Sequence, residues 1–410
     1  MRFELIAALA ICCAGPAAAQ TVGEEQSAVQ RGQYLVQAAN CYSCHTTPDG
    51  QPFAGGNAFE TTRRALGKIY SSNITPDPQT GLGAWSEQDL IKALRDGVAP
   101  NGKHFFPAFP YTAFTKLSVA DMKAIYAYLR TVPPVHQESR KASFWFRQRW
   151  AMTLWNGIAF SRGEVTPDPT QSEAWNRGFY LVEALGHCSA CHTPRNFLMA
   201  ERVNARLTGG VEIGEVETGK FRKWSAPNLT SAPSGLAQWS ADDLKKYLKT
   251  GYCRRTGVLG PMNEVIANSL RHLTDSDLDA MAIYLKSLPA KGDSPLQSLS
   301  AGESAAGQAL YDKYCDECHL SSGRGGFRKA PPVAGSAIVQ ARSGASLVNI
   351  ILYGARPAPG TSGSYDAWED MEGFKDKLTD SQVANLANFL RSNWGNRGGR
   401  LSASFVAGQR

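Results

Sequence analysis

Three five-residue segments constrain this chain more than anything else in it: "CYSCH" at 41–45, "CSACH" at 188–192 and "CDECH" at 315–319. Each spaces two thiols by two residues and follows the second with an imidazole. Two thiols a turn apart can add to the two vinyl groups of one porphyrin. The next residue is then held under the iron, where a histidine nitrogen supplies the proximal ligand. A single match could be half of a zinc site or a thioredoxin-like redox pair. Zinc would need further ligands at repeated spacing, and only His104, His136, His187 and His272 remain, scattered along the chain. Three matches read as three covalently bound c-type haems. Cys41 and Cys44, Cys188 and Cys191, and Cys315 and Cys318 are the expected attachments, with His45, His192 and His319 as iron ligands.

The remaining cysteines fit this reading. Of nine in 410 residues, Cys12 and Cys13 lie in "MRFELIAALAICCAGPAAAQ". That segment has a basic residue, an apolar stretch and small residues before Gln20, which reads as a secretory signal cut after Ala19. Ile11 before Cys12 does not suit a lipoprotein signal. Beyond it there is no apolar run of the roughly 18 residues needed to cross a bilayer. The mature chain is expected to be exported to the periplasmic side of the cell membrane without spanning it, in an oxidising compartment. Cys253, in "GYCRRTG", is left over; it reads as a free thiol, with an intermolecular disulfide as the alternative.

The haem segments belong to longer repeats. "RGQYLVQAANCYSCH", "RGFYLVEALGHCSACH" and "AGQALYDKYCDECH" each carry a Gly, a Tyr and apolar residues at helical spacing. "NITPDPQTGLGAWSEQDL" (73–90) matches "NLTSAPSGLAQWSADDL" (228–244). Each unit closes with a capped helix: "LSVADMKAIYAYLRTVPP", "LTDSDLDAMAIYLKSLPA" and "LTDSQVANLANFLRSNWG". The expected architecture is all-α: three tandem class I cytochrome c-like domains. After the signal (1–19) these are 20–135, 173–290 and 303–398. A connector (136–172), a linker (291–302) and a C-terminal tail (399–410) complete the chain.

An electron-transfer haem usually has a second axial ligand, often a methionine thioether, which raises its reduction potential. It should come from a loop ahead of the closing helix. Met262 in "GPMNEVIANSLRHLTDSD" and Met371 in "EDMEGFKDKLTDSQ" occupy that place in the second and third units. In the first, "PAFPYTAFTKLSVAD", Phe109 stands there instead, and phenylalanine cannot bind iron. Met122 reads as core, Met152 reaches the iron only if the connector folds back, and His104 reads as a surface or hydrogen-bonded histidine. Water or no ligand at all remain open for that iron. His187, beside Cys188, is expected to act from behind the ligands.

The formal charge of +7 does not point to nucleic acid, because the basic residues form no run that would track phosphates. Ferric haem c with two propionates adds roughly −1 each, bringing the total to about +4. The connector "FWFRQRWAMTLWNGIAF" (144–160) is rich in aromatics, and suits either a membrane or partner interface or packing between units. No nucleophile–base pair, phosphate loop or paired carboxylates stand out.

The three C-x-x-C-H sites, "NITPDPQTGLGAWS", "CSACHTPRN", "GPMNEV", "LTDSDL", "YLKSLP" and "FLRSNWGN" resemble the three-haem cytochrome c subunits of membrane-bound dehydrogenases. These include the alcohol and gluconate 2-dehydrogenase types and the similar subunits of molybdenum-containing aldehyde and nicotinate dehydrogenases. The resemblance implies an electron-transfer subunit that takes electrons from a separate catalytic subunit. That partner would be of molybdenum/iron–sulfur, flavin or quinoprotein type. The electrons pass to membrane quinone or another carrier, with peripheral membrane association. It also implies axial roles for Met262 and Met371. Alcohol-dehydrogenase members read Pro-Ala-Met-Pro-Tyr where this chain has Phe109 between Ala108 and Pro110; the Phe form looks more like the cytochromes paired with molybdenum enzymes. The competing expectations are a free-standing haem enzyme using an open first site for peroxide, nitrite or oxygen chemistry, and a module of a terminal oxidase.

Overall fold

A close crossing of two helices repeats three times along the chain. A computed structural model describes residues 16–60, 67–143, 148–217, 220–293, 298–355 and 368–410. Most of the expected signal segment, including Cys12 and Cys13, and residues 144–147 of the connector and 294–297 of the linker lie outside the described residues. In the first unit α1 (Pro16–Ala38) runs into α2 (Cys41–His45), followed by α3 (Glu87–Asp96), α4 (Tyr111–Phe114) and α5 (Val119–Leu129). The connector carries α6 (Ala151–Ala159). The second unit holds α7 (Glu173–Tyr180), α8 (Ser189–His192), α9 (Ala241–Thr250), α10 (Met262–Asn268) and α11 (Asp275–Ser287). The third holds α12 (Ala301–Tyr314), α13 (Asp316–His319), α14 (Ala345–Tyr353) and α15 (Asp380–Ser392).

The crossings are α1 on α5, α7 on α11 and α12 on α15. Glycine makes them possible. A Cβ on Gly32 would sit 1.9 Å from the Ala124 carbonyl oxygen, and one on Gly178 2.0 Å from that of Ala280. On Gly307 it would meet Phe389 Cβ at 2.5 Å. A mid-helix glycine costs about 1 kcal/mol against alanine, and close backbone packing offsets that cost. The closing helices start on Ser118, Thr274 and Thr379, whose hydroxyls accept from the backbone N–H groups of Asp121, Asp277 and Gln382.

The second unit has one residue more between its glycine and first cysteine than the first unit has. The surplus is absorbed as a π-helical turn, Leu181–Leu185. Its Glu183 is buried, bonded by Arg206 and by the Tyr284 hydroxyl at 3.0 Å, and Lys116 of the first unit reaches its carboxylate at 3.7 Å.

The frame is helical, as expected, but it also carries short strands: among the described residues three antiparallel hairpins interrupt the helices, β1 (Ala58–Glu60) with β2 (Lys68–Tyr70), β3 (Gly210–Glu217) with β4 (Lys220–Ala226), and β5 (Tyr252–Cys253) with β6 (Thr256–Gly257). They are two-stranded pairs laid on the helical frame, too small to form a layer.

The first two units share one hydrophobic core, running from Leu35 and Ile125 to Leu185 and Leu278, while the third has its own around Val348 and Leu386. The first pair is locked reciprocally. Arg31 Nε donates to Asp121 Oδ1 at 2.7 Å, and Tyr180 of the second unit donates to the same carboxylate at 2.6 Å. Arg177 Nε donates to Asp277 Oδ1 at 2.7 Å, and Tyr34 of the first unit donates to Asp277 Oδ2 at 2.5 Å. The third unit joins the second by side-to-backbone bonds: Ser225 N–H to Ser346 Oγ at 2.8 Å and Asn349 Nδ2 to the Lys223 carbonyl at 2.9 Å. The expected tail is docked. It forms α16 (Ala403–Ala407), buries Val406 fully, and Gln409 donates to the Lys223 carbonyl at 2.9 Å.

Gly178→Ala is expected to force α7 and α11 apart at a cost of ~1–3 kcal/mol, lowering the thermal unfolding midpoint. Gly302→Ala, with nothing within 4 Å of the new methyl, serves as control. Equal midpoints for the two variants would refute the close-crossing account.

Candidate haem-binding sites

Each C-x-x-C-H segment ends in a histidine held in the same way. His45 Nδ1 lies 2.7 Å from the Ser72 carbonyl oxygen, His192 Nδ1 2.7 Å from that of Pro227, and His319 Nδ1 2.9 Å from that of Pro331. A carbonyl only accepts, so Nδ1 must carry the hydrogen and Nε2 keeps its lone pair. Burial pushes all three imidazoles below their ordinary pKa, against the smaller upward pull of the carbonyl bond. The rings are therefore neutral and oriented, with the Nε2 lone pair available, as an iron ligand must be.

The loop that brings the carbonyl is itself braced. Asn73, next to Ser72, accepts from Thr75 N–H and Oγ1 and donates to the Val135 carbonyl at 2.7 Å. Asn228, next to Pro227, repeats this with Thr230 and the Lys291 carbonyl, also at 2.7 Å. These are the first residues of the matched "NITP" and "NLTS" segments, so that sequence repeat is a device for holding histidines. The third unit uses another residue: Asn396 donates to the Val333 carbonyl at 3.0 Å and accepts from Gly335 N–H at 2.8 Å.

The cysteines suit neutral sulfur. All six are free of disulfides. Burial, with the neighbouring Cys44 a smaller cause, pushes the Cys41 thiol up to about 12, and burial does the same for Cys188 and Cys315. Zinc and other thiolate-bound metals need the thiol ionised, whereas a thioether carries no charge. In the third unit Cys315, Cys318, His319 and Met371 line one cavity of 310 Å³, walled by Tyr311, Val339, Leu347, Ile351 and Phe374. An apolar cleft with two sulfurs, an imidazole and a thioether fits a porphyrin and its iron.

The other candidates fall into place. Met262 is half-buried at the start of α10 and packs against the shared core. Met371 is half-buried and bridges to Ala355 by backbone bonds. Met122 is fully buried on α5, and Met281 is buried on α11, both as core. Phe109 is packed edge-on against Phe105 and Phe114, at 5.4 and 5.7 Å between ring centres. The connector folds back over this loop. Tyr111 donates to Asn156 Oδ1 at 2.6 Å, and Asn156 Nδ2 donates to His104 Nδ1 at 3.2 Å. That bond puts the His104 hydrogen on Nε2, so neither nitrogen is free for iron. Met152 is buried on the same helix, while Trp150 just ahead of α6 and Leu154 and Ile158 on it stay exposed. The connector is thus both packed and surface-forming. His187 turns away from its own cysteines: its ring meets Phe114 edge-on at 5.6 Å, and Nε2 lies 3.3 Å from the Ala39 carbonyl, both in the first unit. Cys253 is a fully buried free thiol on β5, which does not suit the intermolecular disulfide.

Sequence reasoning missed how one segment reaches all three sites. Arg255, Thr256, Gly257 and Leu259 line the third-unit cavity. Met262 follows directly. Then Asn268 donates to Ser43 Oγ at 2.9 Å, and Ser43 donates to the Glu264 carbonyl at 3.4 Å, within the first "CYSCH".

The sequence pattern described as Cytochrome c matches residues 29–133 and 304–394. The cytochrome c subunit of the quinone-type alcohol dehydrogenase of Gluconobacter oxydans is 35% identical over 426 residues, covering 98% of this chain and 86% of that protein. The chain belongs to the cytochrome c family. As a cytochrome c it carries covalently bound c-type haem, which its donors fit. The gluconate 2-dehydrogenase cytochrome c subunit of Pantoea cypripedii is 38% identical over 387 residues, covering 90% of this cytochrome and 86% of the relative. A nicotinate dehydrogenase subunit of Pseudomonas putida is 40% identical over 379 residues, but this cytochrome spans only 30% of its length.

Asn228→Ala is expected to destabilise the second unit by ~1–3 kcal/mol, since it leaves buried groups unpaired. Hydrogen exchange should quicken around 225–231. Unchanged protection there would remove the brace from the account.

Proposed function

We propose that this chain is the electron-transfer subunit of a dehydrogenase complex. In this reading it carries three covalent haems, exported to the periplasmic side, and passes electrons from a catalytic dehydrogenase partner to membrane quinone or another carrier. The observation that carries the proposal is the threefold recurrence of a neutral histidine, held by a backbone carbonyl, directly after two disulfide-free cysteines. When bound, haem iron exchanges one electron without consuming a proton. The chain's residues hold the rings, exclude water and set the spacing.

Cys41, Cys44, Cys188, Cys191, Cys315 and Cys318 are the attachments; His45, His192 and His319 the proximal ligands; Met262 and Met371 the distal thioethers. The segment from Arg255 to Asn268 makes the second site the junction between the other two. The relatives' names, all subunits of dehydrogenases of alcohol, gluconate or nicotinate, support a catalytic partner of that general class. The aromatic packing around Phe109 argues against a free-standing enzyme at the first site. Peroxide and oxygen chemistry needs polar donors on the distal side, and this loop presents Phe105, Phe109 and Phe114.

Intact mass of the exported protein should equal a chain starting at Gln20 plus three haems. Replacing Cys315 and Cys318 together by alanine should remove one haem and leave two. A wild-type mass with fewer than three would sink the proposal. Separately, Phe109→Met should add one thioether-to-iron absorption band and raise one reduction potential. No new band would mean that this loop does not face the first iron.

A further inference from the structure

The third-unit cavity is not built by the third unit alone. Hairpin β5–β6 of the second unit closes it through Arg255 and the residues after it. The join is fixed by Tyr252, whose ring lies 4.6 Å from that of Trp368, three residues before Met371. Arg255 is the one arginine among the described lining residues. The third unit itself supplies Lys329 against Glu317, Glu369, Asp370 and Glu372.

Arg255 is held in place from behind. Its Nε lies 3.4 Å from Asp243 Oδ2 and its Nη1 3.4 Å from Gln238 Oε1. Asp243 also caps α9, receiving Ser240 N–H at 3.1 Å, and binds Arg254 Nε at 2.9 Å. Burial works against ionisation of this carboxyl, but the bonds from Arg254 and Ser240 outweigh it and hold the pKa down to about 2. On the β5–β6 side one carboxylate thus faces two guanidiniums, a local positive excess set opposite the acidic residues of the third unit. The same arginine lines an adjoining polar cavity of 940 Å³ together with Arg254 and Arg324.

We infer that Arg255 of the second unit is a positioning residue for the haem of the third, binding a haem propionate across the unit boundary and raising that haem's reduction potential. Guanidinium is suited to a carboxylate by its planar fork, and a fixed positive charge beside a redox centre favours the added electron. In this reading docking of the second unit completes the third site. The inference rests on the three-haem reading, with Met371 as the third distal ligand.

The test is a spectroscopic redox titration of the full-length cytochrome, with haem content measured on every variant. Met371→His first marks the third site, because replacing a thioether by imidazole lowers its potential and separates its step from the others. On that background Arg255→Gln should shift the marked step toward the oxidised form roughly tenfold, as expected for loss of a nearby charge at intermediate dielectric. That corresponds to about 59 mV for one electron. Arg255→Lys, which keeps the charge, should retain most of the wild-type position. Three haems with the marked step unmoved by Arg255→Gln would overturn the inference, as would a lysine variant shifted as far as the glutamine one. A haem content below three in the wild type would instead overturn the underlying three-haem reading, and no step displaced by Met371→His would overturn Met371 as the third distal ligand; either takes the inference with it.

Discussion

A backbone carbonyl aimed at a histidine Nδ1 is the contact on which the rest of this structure depends. It fixes the tautomer, and so decides which nitrogen can face iron. It also fixes the ring's rotation, and so decides where a porphyrin plane can lie between the two cysteines and the distal loop. Because the carbonyl must not drift, its loop has to be tied to the far end of each unit. Asn73 reaches Val135 and Asn228 reaches Lys291, both just beyond the closing helix. The crossing helices are then the base on which loop and histidine are both mounted, and glycine sets their separation.

The three units use this plan with unequal independence. The first two exchange tyrosine–aspartate bonds and merge their cores. The turn ahead of the second C-x-x-C-H segment reaches into the first unit, where His187 meets Phe114 and the Ala39 carbonyl. The third keeps its own core and borrows a wall from the second. Shared packing of this kind would suit the proposed relay of one-electron sites, in which each transfer depends on the separation between sites. The segment 255–268 lines the third-unit cavity, carries Met262 and bonds to Ser43 of the first unit, and so touches all three units.

Much of this was legible in the sequence, because C-x-x-C-H spacing and capped closing helices are local patterns. The matched "NITP" and "NLTS" segments were visible as a repeat, but not their purpose, which needs the distant carbonyls of Val135 and Lys291. The β5–β6 hairpin was missed because its strands are two residues each, too short for any alternation to show; β3 and β4, eight and seven residues long, were long enough to read and were overlooked. The π-turn was encoded as a single surplus residue before Cys188, detectable only when the repeats are aligned. His187 looked like a neighbour of its own cysteines; its backbone φ of 40° turns it toward the other unit, and no sequence pattern announces that. The polar "tail" was in fact tethered by Gln409 and Arg410, whose partners are far away in sequence.

The central claim is that one plan of histidine orientation serves three haems, and that the distal thioether is present at two of them and absent at the first. Near-infrared magnetic circular dichroism of the oxidised protein, calibrated against total haem, measures that most directly, because it counts thioether-ligated irons. The expected result is three haems per chain with thioether signal from two. Signal from all three, or from fewer than two, would contradict it.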